Sequence, residues 1–423
     1  MATTPHHRPR VLITGASIAG PALAWGLDRS GFDVTLLERS PEQRATGQNI
    51  DVRGLGREVL ERMGLRDTVM QHLTGEAGTR YVDEHGTPYA TFPKAEGQDG
   101  PTAEIEILRG TFAGILVDAL PDTIDRRYGD FVVGAEQDGT GVNVRYDSGA
   151  PERFDLVVVA EGRSSRTRRI LFADETEYRD HGVSIAYGTL DRIGSDTDHW
   201  DWYTAPRGRV ASIRPDNEGT IRASVSFESE PMGFEQLPVD VQLRILRERF
   251  RGAGWQTERI LDGFSERSDE FYTQRMEQVV VSRWSKGRIA LLGDAAWGSG
   301  PTGMGTTLSL VGAHILAGEL ARTIEPAVGA DHGYSIPDAF ARYEEMLRGY
   351  ADSAQGLPRG GARLLHPSSK AGVRAVRAAL RVASLGPVRG FAQKYLLTSE
   401  KHVPVLPHYP TLQGARKAAE SIA

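Results

Sequence analysis

The sequence predicts an α/β protein in which parallel strands and helices are joined to a second, mostly antiparallel sheet and to C-terminal helices. Three observations support this fold class. A strand pattern, a glycine-rich turn and a helical pattern follow one another over residues 10–38. Two more buried-strand patterns that end in glycine occur much later, at 154–162 and 287–293. Between about 181 and 267 the pattern changes to the alternation that is typical of a partly exposed antiparallel sheet.

The first unit begins with RVLIT, a short apolar run that reads as a buried strand because it stops at Gly15. Small and apolar residues then recur at helical spacing over 18–30. The segment DVTLLE follows as a second strand and ends at Glu38. The order strand, glycine turn, helix, strand is that of a βαβ unit.

The turn between the first strand and the helix, GASIAG, differs from a dinucleotide-binding fingerprint at Ser17. Gly15 permits the tight turn, the backbone of Ser17 approaches a pyrophosphate, and Gly20 lets helix and strand pack closely. Glu38 lies about 20 residues further on and can accept hydrogen bonds from ribose hydroxyls. The pattern predicts a Rossmann-like dinucleotide-binding domain, with a purely structural turn as the alternative. It does not distinguish a nicotinamide from a flavin cofactor.

The segment 287–320 favours a flavin. Its strand ends at Gly293 and Asp294, and a glycine- and proline-rich loop leads to a helix from about Thr306. Gly303 and Gly305 leave the backbone bare before that helix, so N–H groups and the positive helix end can face an electron-rich ligand. Asp294 can bind sugar hydroxyls. A second ligand-facing strand end suits a cofactor with a long ribityl arm.

Together, GASIAG with Glu38, the strand and turn FDLVVVAEG, and GRIALLGDAA with PTGMGT resemble the class A FAD-dependent monooxygenases of the p-hydroxybenzoate hydroxylase fold. The resemblance covers most of residues 9–350 and is strongest to the tetracycline-inactivating members. It implies that NAD(P)H reduces FAD, that O2 forms a C4a-hydroperoxyflavin, and that one oxygen atom enters an electron-rich, aromatic or polyketide-like small molecule. Hydroxylation, epoxidation and Baeyer–Villiger insertion all remain open. No protein side chain is assigned as catalytic, because the flavin carries the chemistry.

The resemblance also implies which residues contact the cofactors. Those expected at the pyrophosphate are Gly15, Ser17, Ile18, Ala19 and Gly20. Those expected at the adenosine are Glu38 and Arg39. Arg44 matches an arginine associated with NADPH. Asp294 is expected at the ribityl and phosphate groups and Asp51 near the flavin, and the residues expected at the edge of the flavin ring are Pro301, Gly303, Met304 and Gly305. Those expected to contact the cofactor without a more specific place are Gln48, Arg109, Gly293 and Thr306. Glu161 and Gly162 occupy the position of the family's Asp-Gly turn.

Four positions depart from the family pattern. Ser17 replaces a glycine, and Glu161 replaces an aspartate, which could change how nicotinamide is handled. Trp297 replaces a frequent histidine, and Thr306 replaces a frequent asparagine. Flavin binding itself is less affected by these changes than nicotinamide binding.

In the family, the antiparallel sheet covers the flavin and binds substrate. Strand alignment puts Arg214 and Arg222 at substrate-facing positions, with Trp202, Tyr203 and Ser212 nearby. If the arginines face inward, the substrate is expected to carry a carboxylate, an enolate or several oxygens. The alternative is that both arginines decorate an outer face.

The predicted domains are discontinuous. The FAD-binding domain comprises 1–69, 103–180 and 268–305, and the substrate-binding domain comprises 70–102 and 181–267. Residues 306–350 form a bridging helix region, and 351–423 form a C-terminal helical extension. Within that extension, 371–386 has the pattern of a basic amphipathic helix, which we expect to pack against the body of the protein.

Composition excludes several function classes. The 423 residues carry a formal net charge of −6, which gives no basic face for nucleic acid. The absence of cysteine excludes disulfides and thiolate metal sites, and no HExxH or GxSxG motif indicates a metalloprotease or a serine hydrolase. An N-terminal run after Arg10 resembles a signal peptide, but its glycines interrupt it. No run is long enough for a membrane helix, so we expect a cytoplasmic monomer or homodimer.

Rival functions are a flavin oxidase or reductase, a flavin halogenase, and a binding protein that has lost its flavin. The tryptophans of WDWYTAP do not form the longer signature of the halogenases. The acids and the arginine at 38, 109 and 294 argue against a flavin-free binding protein.

Overall fold

The structure is a computed structural model that describes residues 8–44, 47–94, 102–300, 302–324, 334–357, 361–386, 388 and 402–412. In chain order, the strands are β1 (Arg10–Thr14), β2 (Asp33–Glu38), β3 (Asn49–Val52), β4 (Gly78–Val82), β5 (Pro88–Pro93), β6 (Ile105–Leu108), β7 (Asp125–Tyr128), β8 (Val132–Gln137), β9 (Val142–Tyr146), β10 (Glu152–Phe154), β11 (Leu156–Val159), β12 (Thr176–Asp191), β13 (Trp200–Ala205), β14 (Arg209–Pro215), β15 (Thr220–Glu228), β16 (Tyr272–Val281), β17 (Ser285–Lys286) and β18 (Ile289–Leu291). The helices are α1 (Ala19–Arg29), α2 (Leu55–Met63), α3 (Arg66–Met70), α4 (Arg109–Asp118), α5 (Arg166–Leu171), α6 (Val239–Phe250), α7 (Thr257–Glu266), α8 (Asp294–Trp297), α9 (Gly305–Ala321), α10 (Ile336–Ala354) and α11 (Lys370–Ser384).

A six-stranded sheet in the order β17-β18-β11-β1-β2-β7 forms the Rossmann-like layer. Strand β1 lies between β2 and β11 and is parallel to both, whereas β17 is antiparallel to β18. The unit predicted over 10–38 is confirmed as β1, α1 and β2. Because parallel strands end at the same edge, the turns after β1, β2, β11 and β18 meet there.

Helix α9 is buried on every side. The helix predicted from about Thr306 is present, and the sequence pattern suggests one apolar face with Leu308 and Val311 on it. In the fold every residue from 306 to 321 is buried, because α1, α2 and α10 all pack against this helix. Small residues allow the close approach, and a Cβ atom built on Gly26 of α1 would lie 2.7 Å from the Cβ atom of Ala317.

A second, seven-stranded sheet has the order β16-β12-β15-β14-β13-β4-β5. Its neighbours are antiparallel except for β13 and β4. Helices α6 and α7 cover one face, where Leu246, Phe250 and Phe264 pack against alternate residues of the strands. Strand β12 runs across the predicted domain boundary at 180. Strand β16 pairs with β12 in this second sheet, although it lies in the segment 268–305 that was predicted to belong to the FAD-binding domain.

The C-terminal part of the chain packs on both layers. The amphipathic helix predicted at 371–386 is confirmed as α11, which lies against β5 and pairs Arg377 with Glu84 at 2.8 Å. Residues 402–412 dock on α9, where the hydroxyl of Tyr409 donates to Glu319 at 2.7 Å. Within the part of the chain that the structure describes, no helix has the length and apolar character to span a membrane.

The contact between α1 and α9 predicts a difference between two helical glycines. We expect Gly26→Ala to destabilise the protein by about 1–3 kcal/mol, because the added methyl group overlaps Ala317 in a packed interface. Gly114→Ala in α4 is the matched control, because nothing lies within 4 Å of its added methyl group. Urea unfolding checks this. Equal or reversed effects of the two substitutions would contradict the packing described for α9.

Candidate functional site

The turn after β1 is shaped by two glycines that leave no room for a side chain. Gly15 has a φ angle of +104°, and a Cβ atom built on it would overlap the carbonyl oxygen of Ala160 at the end of β11. A Cβ atom on Gly20 would overlap the carbonyl oxygen of Gly15 itself. Ile18 and Ala19 complete the entry to α1 and are buried. The bare backbone and the N-terminus of α1 form a cradle for an anionic group.

Glu38 stands at the end of β2 beside this cradle. Its carboxylate accepts hydrogen bonds from the backbone N–H groups of Ala16 and Ser40, both at 2.9 Å. These bonds hold the carboxylate in one orientation, and each oxygen still has a lone pair for a hydroxyl group. Arg39 and Arg44 are exposed nearby, and Arg44 contacts Ser40 at 3.3 Å.

Three of the residues predicted near the cofactor lie together at the start of α4. The backbone N–H of Arg109 donates to the carbonyl of Gln48 at 3.0 Å, and its guanidinium donates to Ser17 Oγ at 3.2 Å. The serine that replaces the usual glycine therefore contacts Arg109. Arg109 is exposed, so its charge remains accessible beside the turn.

Asp294 is the clearest unsatisfied group at this edge. Its Oδ1 is buried and has no hydrogen-bond partner among the described residues. Burial raises the pKa of Asp294, and the positive charges of Arg109, Arg163 and Arg168 partly offset this rise. A Cβ atom built on Gly305 would lie 3.2 Å from this oxygen. A buried acceptor without a donor is the feature that a ligand hydroxyl would satisfy.

The loop before α9 brings together Gly303 and Asp51. Gly303 has a φ angle of +73°, and a Cβ atom built on it would lie 3.6 Å from Asp51 Oδ2. Arg53 donates to the same oxygen at 2.6 Å, and its backbone N–H donates to Thr307 at 2.9 Å. Strand β3 and helix α9 are thereby joined around the loop.

Other residues predicted for this loop are also at its edge. Met304 directly precedes α9, and Thr306 is buried in its first turn. A Cβ atom built on Gly293 would lie 3.0 Å from the Cβ atom of Ala19, so the turns after β1 and β18 touch. Pro301 lies outside the described residues.

Glu161 has a structural task. Its carboxylate accepts from Ser165 Oγ at 2.8 Å, from the backbone N–H of Thr167 at 3.0 Å, and from Thr167 Oγ1 at 2.5 Å. It therefore caps the start of α5, while Gly162 provides the turn with a φ angle of +77°. The expected role of this turn with nicotinamide stays a prediction.

Trp297, which replaces a frequent histidine, is a core residue. Its ring lies 4.6 Å from the ring of Trp284 and 6.2 Å from that of Tyr343, measured between centroids. It is 1% exposed and a Cβ atom on Gly312 of α9 would lie 2.9 Å from it. The tryptophan thus fills the space between α8, α9 and α10.

Arg214, predicted to face the substrate, is buried in the protein's own ion cluster. It donates to Glu76 at 3.0 Å and to Glu106 at 2.5 Å. Asn49 also donates to Glu106, at 2.7 Å. The guanidinium lies over the ring of Trp200, 3.9 Å from its centroid. This cluster connects β14 of the second sheet to β3 and β6.

Burial changes the protonation of Glu106, one of the two acids that contact Arg214. Burial raises the pKa of Glu106 to about 8, against the opposing attraction of Arg214. The side chains of Glu76 and Glu106 are both almost fully buried, and the two acids share a single guanidinium. Glu106 Oε2 has no hydrogen-bond partner in the described part of the chain, so no donor there stabilises a negative charge on this oxygen.

Acidic side chains of the protein also pair with the guanidinium of Arg222. It donates to Asp216 at 2.8 Å and to Thr189 at 2.9 Å. It donates to Glu270 at 3.3 Å and also pairs with Glu218. The alternative that the two arginines decorate an outer face is wrong, because both are buried. The expectation that they bind a substrate with a carboxylate, an enolate or several oxygens stays a prediction, and protein carboxyl groups contact both guanidinium groups.

The alternation of β13 corrects one further expectation. Trp202 and Ser212 are cross-strand partners and share a face with Arg214. Tyr203 follows Trp202 on β13, so its side chain lies on the opposite face of the sheet, under α6 and α7. Its hydroxyl donates to the carbonyl of Ala253 at 2.6 Å, so it does not belong to the substrate-facing set.

Sequence reasoning missed several residues on the face opposite α6 and α7. They are Glu76, Glu106, Tyr187 and Tyr272. Tyr187 could be found from the alternation of β12, since it lies two residues from Thr189 on the same face. Tyr272 could not, because β16 pairs with β12 across more than eighty residues of chain.

Comparisons with known proteins identify the family of the chain and proteins of similar fold. A family model described as the FAD binding domain matches residues 8–331. The flavin-dependent monooxygenase eupH of Phoma sp is 34% identical over 390 residues, which cover 87% of this chain and 90% of eupH. Tetracycline destructase Tet(55) has a similar solved structure, with a TM-score of 0.76 at 30% identity over 96% of this chain and 100% of that one. Klebsiella pneumoniae HpxO, solved with FAD and uric acid, shares the fold with a TM-score of 0.74 at 20% identity, over 94% of this chain and 98% of that one.

The proton on Glu106 predicts a pH dependence of stability. The folded state keeps this proton up to about pH 8, whereas an unfolded glutamate loses it near pH 4.3, so the free energy of unfolding falls as the pH rises between these values. We expect Glu106→Gln to remove this proton, so that the free energy of unfolding falls less steeply as the pH rises. Urea unfolding at several pH values measures it, with exposed Glu136→Gln as control. Equal slopes for wild type and Glu106→Gln would show that Glu106 is ionised.

Proposed function

The chain belongs to the FAD-binding-domain family of flavin-dependent monooxygenases, and we propose that it uses NAD(P)H and O2 to insert one oxygen atom into a small organic molecule. It is an oxidoreductase. Hydroxylation, epoxidation and Baeyer–Villiger insertion are the candidate reactions.

One observation carries the proposal. The bare cradle of Gly15 and Gly20 and the unsatisfied acceptor on Asp294 lie at the same edge of the parallel sheet. A single extended cofactor with a pyrophosphate and a hydroxyl-bearing arm would satisfy both, and FAD has both parts. The residues present therefore fit FAD.

The cofactor positions follow from this fit. The turn with Ser17 and the N-terminus of α1 would hold the pyrophosphate, and Glu38 would accept from the adenosine ribose. Asp294 would accept from the ribityl arm. The loop with Gly303 and Met304 would border the flavin ring.

The protein contributes orientation and charge. Bound FAD supplies the redox chemistry and the activation of O2. Helix α9 has 17 residues and begins at Gly305, so its N-terminal N–H groups and positive dipole end favour negative charge at the adjoining loop. Arg109 adds a full positive charge near the same region. Both would stabilise negative charge on a flavin ring bound there.

Reduction by a nicotinamide is the second part of the proposal. Arg44 is exposed on the adenosine side and is the arginine that the resemblance associates with NADPH. Glu161 lies at the family's Asp-Gly turn, but its carboxylate already caps α5. Initial rates measured with NADH and with NADPH compare the two nicotinamides directly.

Removal of the Asp294 carboxylate is expected to weaken FAD binding. The loss of one charged hydrogen bond costs about 2 kcal/mol, or about thirtyfold in Kd. We expect Asp294→Ala to show this loss in FAD titration. We also expect the FAD-free variant to unfold at a temperature at least as high as wild type, because an unpaired buried carboxylate is gone. Asp174→Ala, at an exposed position, is the control. Unchanged affinity for Asp294→Ala would remove this residue from the cofactor site.

Turnover tests the reaction class. We expect NAD(P)H and O2 to be consumed together when the FAD-loaded protein meets a suitable member of a panel of phenols, polyketides and tetracyclines. The product should gain the mass of one oxygen atom. Peroxide release without oxygen in any product would indicate an oxidase or a reductase, and a halogenated product would indicate a halogenase. If the purified protein shows no flavin absorbance and takes up no FAD, the monooxygenase proposal is wrong. The remaining candidate is then a binding protein that has lost its flavin.

A further inference from the structure

Positive charge is concentrated in one part of the chain. Residues 353–399 contain eight lysines and arginines and no aspartate or glutamate, so this segment is strongly basic in a chain whose formal net charge is −6. Helix α11 lies within the segment and contributes four of the cations, which are Lys370, Arg374, Arg377 and Arg381. A basic segment that includes an amphipathic helix is typical of contact with an anionic surface.

The inner face of α11 packs on the protein. Val373 is buried, and Arg377 pairs with Glu84 at 2.8 Å. The guanidinium of Arg377 also lies 5.6 Å from the centroid of the Tyr89 ring on β5. These contacts fix the helix on the edge strand of the second sheet, so its opposite face is turned toward the solvent.

The outer face of α11 carries apolar side chains where a surface helix normally carries polar ones. Ala371, Ala375, Ala378 and Val382 are all exposed, and they follow one another at intervals of four, three and four residues. At 3.6 residues per turn, these four positions fall within about 60° of arc. Leu385 directly follows the last residue of the helix and continues the same row. We call these five residues the outer row.

The larger apolar residues of this region lie at the C-terminal end of α11. Val382 and Leu385 of the outer row are 54% and 57% exposed, and Val388 a little further along the chain is exposed as well. Single exposed apolar residues are common on protein surfaces and need no explanation. A group of them beside exposed alanines is typical of a surface that binds another apolar layer.

Three cations flank the outer row on one side. Helical spacing places Lys370, Arg374 and Arg381 between the outer row and the inner face, and all three are exposed. Among the residues that the structure describes, the cation of α11 that forms an ion pair with an acid is Arg377. The charges of the other three are therefore available to a partner outside the protein.

The charges favour an anionic bilayer over a second copy of the chain. Pairing of two α11 helices would gather the cations of both copies along one interface, and the sequence of α11 contains no acid that could oppose them. A bilayer with anionic headgroups offers opposite charge and, directly beneath it, an apolar layer. A helix that lies in this interface places its cations among the headgroups and its apolar side chains at the boundary with the acyl chains.

We propose that the outer face of α11 binds the surface of an anionic lipid bilayer. Val382 and Leu385 enter the layer below the headgroups, and the three exposed cations of α11 contact the lipid phosphates. The contact is peripheral and reversible, because a few charges and two apolar side chains bind far less tightly than a helix that spans a membrane. It holds the β5 edge of the second sheet at the bilayer. It goes beyond the proposed function and does not depend on it.

Vesicle sedimentation with the full-length protein tests the lipid preference. Vesicles of phosphatidylcholine alone are compared with vesicles of phosphatidylcholine and phosphatidylglycerol in equal parts. We expect the protein to bind the anionic vesicles at least about thirtyfold more tightly, since each cation near the surface contributes about fivefold. Salt at about 0.5 M should remove most of this difference. Equal binding to both kinds of vesicle, or binding to neither, would overturn the proposal.

Two pairs of charge substitutions identify the face that binds. Arg374→Gln combined with Arg381→Gln is expected to weaken binding to the anionic vesicles about thirtyfold. Arg244→Gln combined with Arg251→Gln is the matched control, because it changes the net charge equally at side chains of the α6 region that are 71% and 76% exposed. The control should bind within about twofold of wild type. An equal loss from both pairs would refute the role of α11.

A third substitution tests the apolar part of the contact. Leu385→Ser is expected to weaken binding to the anionic vesicles about fivefold, because the exposed part of the side chain no longer leaves water for the bilayer. Met232→Ser, at a side chain that is 76% exposed, is the control and should bind as wild type does. Thermal unfolding is measured for every variant and should match wild type, since the changed side chains are exposed. Unchanged binding of Leu385→Ser, or weaker binding only in variants that unfold at a lower temperature, would refute the proposal.

Discussion

The fold depends on one steric constraint, the contact of bare backbone at the turn after β1. A Cβ atom on Gly20 would overlap the oxygen of Gly15, and one on Gly15 would overlap the oxygen of Ala160. The turn can therefore pack α1 against β1 and β11 only while both residues are glycine. That packing brings the ends of β1, β2 and β18 close enough for Glu38 and Asp294 to share a site with the turn. It also leaves N–H groups at the N-terminus of α1 for a pyrophosphate.

A second interaction joins the seven-stranded sheet to β3 and β6. Arg214 on β14 pairs with Glu76, and with Glu106 on β6, and Asn49 on β3 donates to the same Glu106. Removing any one partner would leave a buried polar group without compensation, which costs more than the cluster gains as a whole. The cluster therefore fixes the second sheet relative to the β3–β6 pair, and α4 begins directly after β6. It also pairs the guanidinium of Arg214 with two acids of the protein itself.

Local patterns predicted much of the fold and the cofactor edge. The apolar and glycine patterns that predicted β1, α1 and β2 involve residues that are close together in the sequence. A single sequence is therefore enough to recognise them. The same alternation separates Trp202 from Tyr203, and applying it strictly would have excluded Tyr203 from the substrate face. The neutralisation of Arg222 was not predictable, since one of its partners, Glu270, lies 48 residues away.

The central claim is that one FAD molecule spans the turn at Gly15 and the acid at Asp294. A crystal structure of the FAD-loaded protein tests it most directly. The account predicts pyrophosphate oxygens at the N–H groups of the turn after β1, and a ribityl hydroxyl within hydrogen-bond distance of Asp294 Oδ1. A flavin that lies elsewhere, or an Asp294 carboxylate bonded only to protein groups, would contradict it.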